Sequence, residues 1–474
     1  MKVTSIVNGN PVTGGVAAEI RSYDGSVLGD VTVADRATVD AAVGATAGSL
    51  HTPFPPAERA AVLRRLARRI DSEREQYERL LVAECAKPYR EARAEVTRTI
   101  SVLEECAEEA TRIQGHLVPV SGLAGSEDRF AFTLRVPVGV VAAITPYNGS
   151  LLSPAHKVGA AVAAGCACVL KPADRTPFSA YRFVQDLLEA GLPADRVALL
   201  VADGPDVPAA LVSHPDVGMV SFTGSTKVGL RIREALGLRP AILELGGNAP
   251  LIVHEDANVS AAAAAAAPGA FGYAGQVCIS VQRVYVHASR YQEFEDAFLA
   301  GVAGLRVGDP KDEGTDIGPL IDEQRAKAVE AMVTDAVADG ARLLTPLRRE
   351  GALMWPVVLA DAPTQSAVVC EEAFGPVVSL FSYTDVGDAF TAANASGYGL
   401  QAGVYTRDFN VMRQAMHALR FGGVIFNDTS RYRVDRMPYG GTKLSGSGKE
   451  GVRYSIEQMT EERLVVMRPA AEET

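Results

Sequence analysis

The chain has 474 residues, 47% of them apolar and 22% charged, an ordinary globular composition that excludes a disordered, collagen-like or disulfide-scaffold protein. The net charge of −11 argues against nucleic acid or an anionic membrane as a general partner. At roughly 150 residues per domain, the length suggests about three domains, enough to bury a core without metal or disulfide.

No apolar run reaches the ~18 residues of a membrane span. The Met1-Lys2-Val3-Thr4-Ser5 start lacks the apolar core of a signal peptide, so a cytoplasmic protein is expected. Only Cys166 and Cys168 are close among the cysteines, and no His/Cys pair follows at zinc spacing, so no metal site is expected.

In chain order, the first ~50 residues suggest short strands and turns. Pro55-Pro56 introduces a long amphipathic helical stretch, Ala57 to Gln114, ended by Gly115. Leu117 to Leu134 suggests a hairpin with Gly-rich turns. From Arg135 strands and helices alternate. The strands are Val138–Ile144, Ala167–Leu170, Val197–Val201, Val217–Phe222 and Ile242–Leu245, and the helices are Leu151–Ala164, Ser179–Ala190 and Thr226–Leu236. Continuous apolar strands separated by helices predict a parallel sheet covered on both faces. A second such series runs from about Pro250 to Phe426 and includes the helix-forming run Ala261–Ala267. The final apolar run, Leu464-Val465-Val466-Met467, predicts a strand that needs a partner.

Four short runs carry residues suited to chemistry. Cys278 lies in Gly275-Gln276-Val277-Cys278-Ile279-Ser280, where glycines let backbone approach a ligand; it is either a nucleophile or a buried small residue. Glu244 ends an apolar strand before Gly246-Gly247, and is a general base or a satisfied loop carboxylate. Asn148, after Ile144-Thr145-Pro146-Tyr147, has an amide that can donate to an oxyanion or close an Asx turn. Phe222-Thr223-Gly224-Ser225 stands where a strand turns into a helix, which suits a phosphate or an ordinary helix cap.

Together these runs resemble the aldehyde dehydrogenase superfamily. Further matching runs are Pro137-Val138-Gly139-Val140, Lys171-Pro172-Ala173-Asp174, Gly318-Pro319-Leu320, Glu372-Ala373-Phe374-Gly375-Pro376 and Pro438-Tyr439-Gly440-Gly441-Thr442-Lys443. They follow the family's order across nearly the whole chain. The resemblance implies an α/β fold of two doubly wound parallel-sheet domains plus a small β oligomerisation element. It places an NAD(P)-binding domain at 1–116 and 135–245, a catalytic domain at 246–452, and the oligomerisation element of a homodimer or homotetramer at 117–134 and 453–474.

The resemblance also implies roles. Cys278 is the nucleophile that forms a thiohemiacetal and then a thioester, Asn148 the oxyanion donor, and Glu244 the base that activates water. For the cofactor it implies Ile144, Thr145, Pro146, Lys171, Asp174, Gly204, Phe222, Gly224, Ser225, Leu245, Gly246, Glu372 and Phe374. An acidic residue at 174 favours NAD over NADP, because a carboxylate accepts from the ribose 2′-OH and repels a 2′-phosphate. The shorter Asp in place of the usual Glu leaves some room for NADP.

The substrate residues implied are Arg98, Gly149, Leu152, His156, Val277, Ile279, Arg431 and Arg433. Arg98, His156 and one loop arginine are expected to form an anion site; the alternative pairs Arg98 with Glu95 and Arg433 with Asp435. The run Arg433-Val434-Asp435-Arg436-Met437-Pro438-Tyr439-Gly440-Gly441 and the pair His156-Lys157 resemble the lactaldehyde, sulfoacetaldehyde and phosphonoacetaldehyde dehydrogenase subgroup. Phosphate and phosphonate users often carry an arginine just before the nucleophile; here that position is Val277, which keeps short hydroxyaldehydes open. A small polar, anionic aldehyde is the expected substrate. A silent binding protein and a thiol hydrolase pairing Cys278 with His156 are the readings from other classes.

Overall fold

The computed structural model describes residues 2–469. An eight-stranded sheet has five parallel central strands in the spatial order Ala241–Glu244, Val217–Thr223, Val140–Ile144, Ala167–Lys171 and Val197–Leu199. Alternate residues of each strand enter different cores. Val141, Ala143, Cys168 and Leu170 pack on one face; Val140, Ala142, Ile144 and Val169 pack on the other. That explains the unbroken apolar runs, because both faces are covered.

Chain order reverses direction across the sheet between Val140–Ile144 and Val217–Thr223. This is the crevice where ligands lodge in open α/β sheets. Ile144 stands opposite Phe222 at that point, which brings the Ile144-Thr145-Pro146 and Phe222-Thr223-Gly224-Ser225 runs together.

A seven-stranded sheet runs Arg342–Leu343, Val357–Ala360, Val377–Tyr383, Val281–His287, Ala249–Val253, Gln401–Tyr405, Gly423–Phe426, with all but the first strand parallel. A third sheet joins Leu117–Val118, Phe130–Pro137 and Thr460–Met467, all antiparallel. The terminal apolar run therefore finds its partner within the chain, opposite Phe130 to Thr133. Residues 470–474 of the expected oligomerisation element lie outside the described residues.

Three sequence expectations need correction. The first 50 residues contain a helix, Arg36–Ser49, capped by the Asp35 side chain. Its mix of Gly, Thr and Ala between single valines hides the helical period. The single helix expected over 57–114 is three: Pro56–Ser72, Arg74–Cys85 and Tyr89–Glu109. Ala86 takes a left-handed conformation and Pro88 follows, which stops the second and restarts the third. The helix over 151–164 is interrupted by a π-turn, Ala155–Gly159, which contains His156 and Lys157. Among the described residues no helix is long and apolar enough to cross a membrane, and no group of His, Cys, Asp and Glu is placed to hold a metal.

Candidate active site

The site forms where segments from both sheets meet. Cys278 sits in the loop before the strand Val281–His287, held by unusual backbone. Tyr273, Ala274 and Gly275 are consecutive left-handed residues. Such strain persists only when the surroundings enforce it. The Tyr273 hydroxyl donates to Cys85 O at 2.7 Å, and the Gln276 side chain accepts the Ile321 N–H at 2.9 Å. Asn148 Nδ2 donates to Gln276 O at 2.8 Å, which fixes the amide beside the cysteine loop. Burial pushes the Cys278 thiol up to about 11, against a hydrogen bond from Tyr439 that pulls it down.

Glu244 ends its strand opposite Gly446, and both of its carboxylate oxygens are buried without a partner. Burial, then the charge of Glu450, hold its pKa well above the ordinary carboxylate range. An unpartnered buried carboxyl has lost the solvation that favours its charged form.

The residues expected for the cofactor come from the strand ends at the switch point and from the loops around Gly246 and Glu372. Thr145 N–H donates to Lys171 O at 3.1 Å, joining two strand ends. Lys171 Nζ is ion-paired with Asp174, whose other oxygen accepts the Gly204 N–H at 3.1 Å. Gly224 N–H donates to Glu244 O at 3.0 Å, and Ser225 precedes the helix Thr226–Leu236. Leu245 packs against Gly229 of that helix, where a Cβ would collide with it. A Cβ on Gly246 would lie 2.6 Å from Glu372 Oε2, so only glycine leaves that cradle open. Glu372 accepts the Gly247 N–H at 2.9 Å and is pushed up to about 7 by burial. Phe374 meets Tyr147 edge-on, ring centroids 5.9 Å apart. A helix N-terminus, a carboxylate–lysine pair and a glycine-lined cleft suit a dinucleotide.

The expected substrate residues divide. Arg98, His156 and Arg433 converge on one carboxylate, Asp435: Arg98 Nη2 at 2.6 Å, His156 Nε2 at 3.0 Å and Arg433 Nε at 3.5 Å. Arg433 Nη2 also lies 3.3 Å from His156 Nε2. The pairing of Arg98 with Glu95 does not form, because Glu95 is taken by Lys87 and by the Leu151 and Leu152 N–H groups, each at 3.0 Å. The pairing of Arg433 with Asp435 does form. Arg431 is placed elsewhere, bonded to Glu91 at 2.9 Å and to Gly272 O at 2.8 Å. Gly149 faces Ser153, Leu152 is half-buried, and Val277 and Ile279 flank the cysteine against Leu400 and Tyr439.

Several site residues carried no expectation. Tyr439 Oη lies 2.8 Å from Cys278 Sγ, and the Arg433 guanidinium stacks 3.7 Å from that ring's centroid. Glu450 bonds Lys157 at 3.0 Å and Arg433 at 2.9 Å, all three fully or nearly buried. Burial opposes ionisation of Glu450, but Lys157, His156 and Arg433 hold it well below the usual range. Tyr439 lies within a matching run, but nothing in that run marks its hydroxyl as a neighbour of the cysteine. Glu450 had none, because only the fold brings it under the π-turn.

The chain matches the family model "Aldehyde dehydrogenase family" over residues 13–465. It is 44% identical over 462 residues to the 3-sulfolactaldehyde dehydrogenase of Priestia megaterium, covering 97% of each chain. Among solved structures it is similar to aldehyde dehydrogenase 21 from Physcomitrella patens in complex with the reaction product succinate, at TM-score 0.95, 36% identity and 98% of each chain. It is likewise similar to the NADP-dependent glyceraldehyde-3-phosphate dehydrogenase of Bacillus halodurans complexed with NADP, at TM-score 0.96 and 32% identity, covering 99% of this chain and 100% of that one. This protein belongs to the aldehyde dehydrogenase family: it has that family's α/β fold and is an NAD(P)-dependent oxidoreductase acting on aldehydes.

Proposed function

We propose that this enzyme oxidises a small polar, anionic aldehyde to its carboxylic acid. The observation that carries the reading is the convergence of Arg98, His156 and Arg433, with Arg433 one aromatic ring away from the Cys278 sulfur. Three buried or half-buried cations, Arg98, Lys157 and Arg433, stand beside the carboxylates Asp435 and Glu450, and burial opposes ionisation of Glu244. An incoming sulfonate, phosphate or carboxylate can share the guanidinium N–H groups now directed at Asp435. These three relatives handle sulfonated, phosphorylated or carboxylated compounds by their names, which supports the same class. A lactaldehyde-like hydroxyaldehyde is the second reading, favoured by Val277 where an arginine would serve a phosphate.

In this reading Cys278 Sγ attacks the aldehyde carbon while Asn148 Nδ2 donates to the developing oxyanion, an interaction worth ~10²–10³ in rate. Glu244 takes a proton from the water that opens the thioester. The cofactor crevice suits NAD(P), held by Lys171 and Asp174 at the ribose, Gly224 and Ser225 at the pyrophosphate, and Glu372 and Phe374 at the nicotinamide end. When bound, the dinucleotide supplies a hydride acceptor. NAD is favoured because Asp174 presents a carboxylate at the ribose; the Bacillus halodurans relative is NADP-dependent, so the choice rests on that residue.

The residues around the eight-stranded sheet (1–116 and 135–245) form the dinucleotide domain, and 246–452 the catalytic domain. The three-stranded sheet exposes Leu117, Phe130, Leu134 and Met467 on one face and Leu464 and Val466 on the other, apolar area that supports a homo-oligomer. The test is NADH absorbance with lactaldehyde, glyceraldehyde 3-phosphate, sulfoacetaldehyde, phosphonoacetaldehyde, succinic semialdehyde and propanal, with NAD and NADP in parallel. Preference for a charged aldehyde with NAD is expected; preference for propanal overturns the anion reading.

A further inference from the structure

We propose that Tyr439 is a catalytic residue whose hydroxyl donates a hydrogen bond to the Cys278 sulfur, stabilising the thiolate and aiming it for attack. The two atoms are 2.8 Å apart. Tyr439 is 2% exposed and locked at its backbone: its N–H donates to Glu450 O at 2.8 Å and its carbonyl accepts the Glu450 N–H at 2.6 Å. Ile279 and Leu400 pack around it, so the hydroxyl has little freedom to leave the sulfur.

The direction of the bond follows from chemistry. Burial pushes the phenol well above its ordinary range, so it keeps its single proton wherever the enzyme works. A thiolate can only accept, so the tyrosine donates. The Arg433 guanidinium, 3.7 Å from the ring centroid, draws charge from the ring face and makes the O–H a stronger donor. Asn148 Nδ2 donates one N–H to Gln276 O, and its second N–H is the one assigned above to the oxyanion. Burial alone would leave Cys278 a poor nucleophile, and the Tyr439 bond is the foremost force opposing it.

The plain alternative is that the thiol merely satisfies a buried phenol. Tyr439→Phe separates the two, because it keeps the ring, its packing and the stacked arginine. The measurement is the rate of Cys278 alkylation by iodoacetamide against pH, in a Cys370→Ala background because Cys370 is the exposed cysteine. Loss of a donor to the thiolate should move the profile's midpoint up by about one unit and slow alkylation at neutral pH about tenfold, with dinucleotide affinity unchanged. An unchanged midpoint in the folded variant overturns the proposal. Should the variant fail to fold, 3-fluorotyrosine at position 439 keeps the shape and makes a stronger donor. The midpoint should then fall, and an unshifted one refutes the role. Neither readout needs an aldehyde, so the result is independent of the substrate assignment.

Discussion

Gly440 stands so close to Glu244 that a Cβ placed on it would lie 2.7 Å from Glu244 Oε1. Its φ of 150° is also one that side-chain-bearing residues rarely adopt. The glycine and the carboxyl share one space, and the proposed general base has its position because residue 440 has no side chain. Gly440→Ala should therefore displace Glu244 and lower kcat about 10²-fold, the usual cost of an ~1 Å misplacement. The clash is with the Glu244 side chain, so kcat should fall much more than dinucleotide affinity. Steady-state kinetics with a fluorescence titration of NAD checks both.

Glu244→Gln should leave the first hydride transfer intact and block release of the acid. Rapid mixing should then record a burst of about one NADH per site followed by slow turnover. The wild-type pH profile follows from the same carboxyl. Burial raises its pKa above the ordinary range, and the base works only when ionised. Turnover should thus fall as pH drops through that raised pKa, and the acid limb should vanish in Glu244→Gln.

Arg98→Ala removes one of the two guanidinium groups that share Asp435. The KM for an anionic aldehyde should rise about tenfold or more, the ordinary worth of a charge-assisted hydrogen bond. The KM for propanal should change little. Equal effects on both would make Arg98 a support for Asp435 rather than a partner of substrate.

Glu84 gives a prediction about stability. Its carboxyl accepts the Phe178 and Ser179 N–H groups, at 2.6 and 3.0 Å, where the helix Pro177–Glu189 begins. Burial pushes it up to about 7, above its value in an unfolded chain. The folded protein therefore binds the extra proton, and stability falls as pH rises from about 4.5 through about 7. Glu84→Gln should flatten that slope by about 1.4 kcal/mol per pH unit at most, measured by urea melts at several pH values. An unchanged slope would mean that Glu84 is ionised in the fold.

The strands were legible because a sheet buried on both faces leaves unbroken apolar runs, as Val140–Ile144 does between its two cores. Helix interruptions were less so. Lys87-Pro88 breaks a stretch whose apolar period otherwise continues, and the left-handed Ala86 leaves no mark in composition. Cys278, Glu244 and Asn148 could be picked out because each follows or ends an apolar segment beside glycine. Of the ion pairs around Asp435 and Glu450, only the local Arg433–Asp435 pair could; the others could not. They join residues from the helix Tyr89–Glu109, the π-turn and the C-terminal loop, and only folding makes them neighbours.

The π-turn at Ala155–Gly159 places two consecutive cationic-type side chains under two different carboxylates: His156 reaches Asp435 and Lys157 reaches Glu450. A regular α-helical turn is one residue tighter and would rotate the succeeding helix, Ala160–Ala164, by about 100°. Removing one residue from this turn would thus change which side chain meets which carboxylate, and no point substitution could restore the phase. The proposed recognition end of the pocket and the buried charge beside the proposed base are therefore tied together as one unit. New aldehyde preferences are reachable by exchanging side chains around this turn, while its length is the part least free to drift.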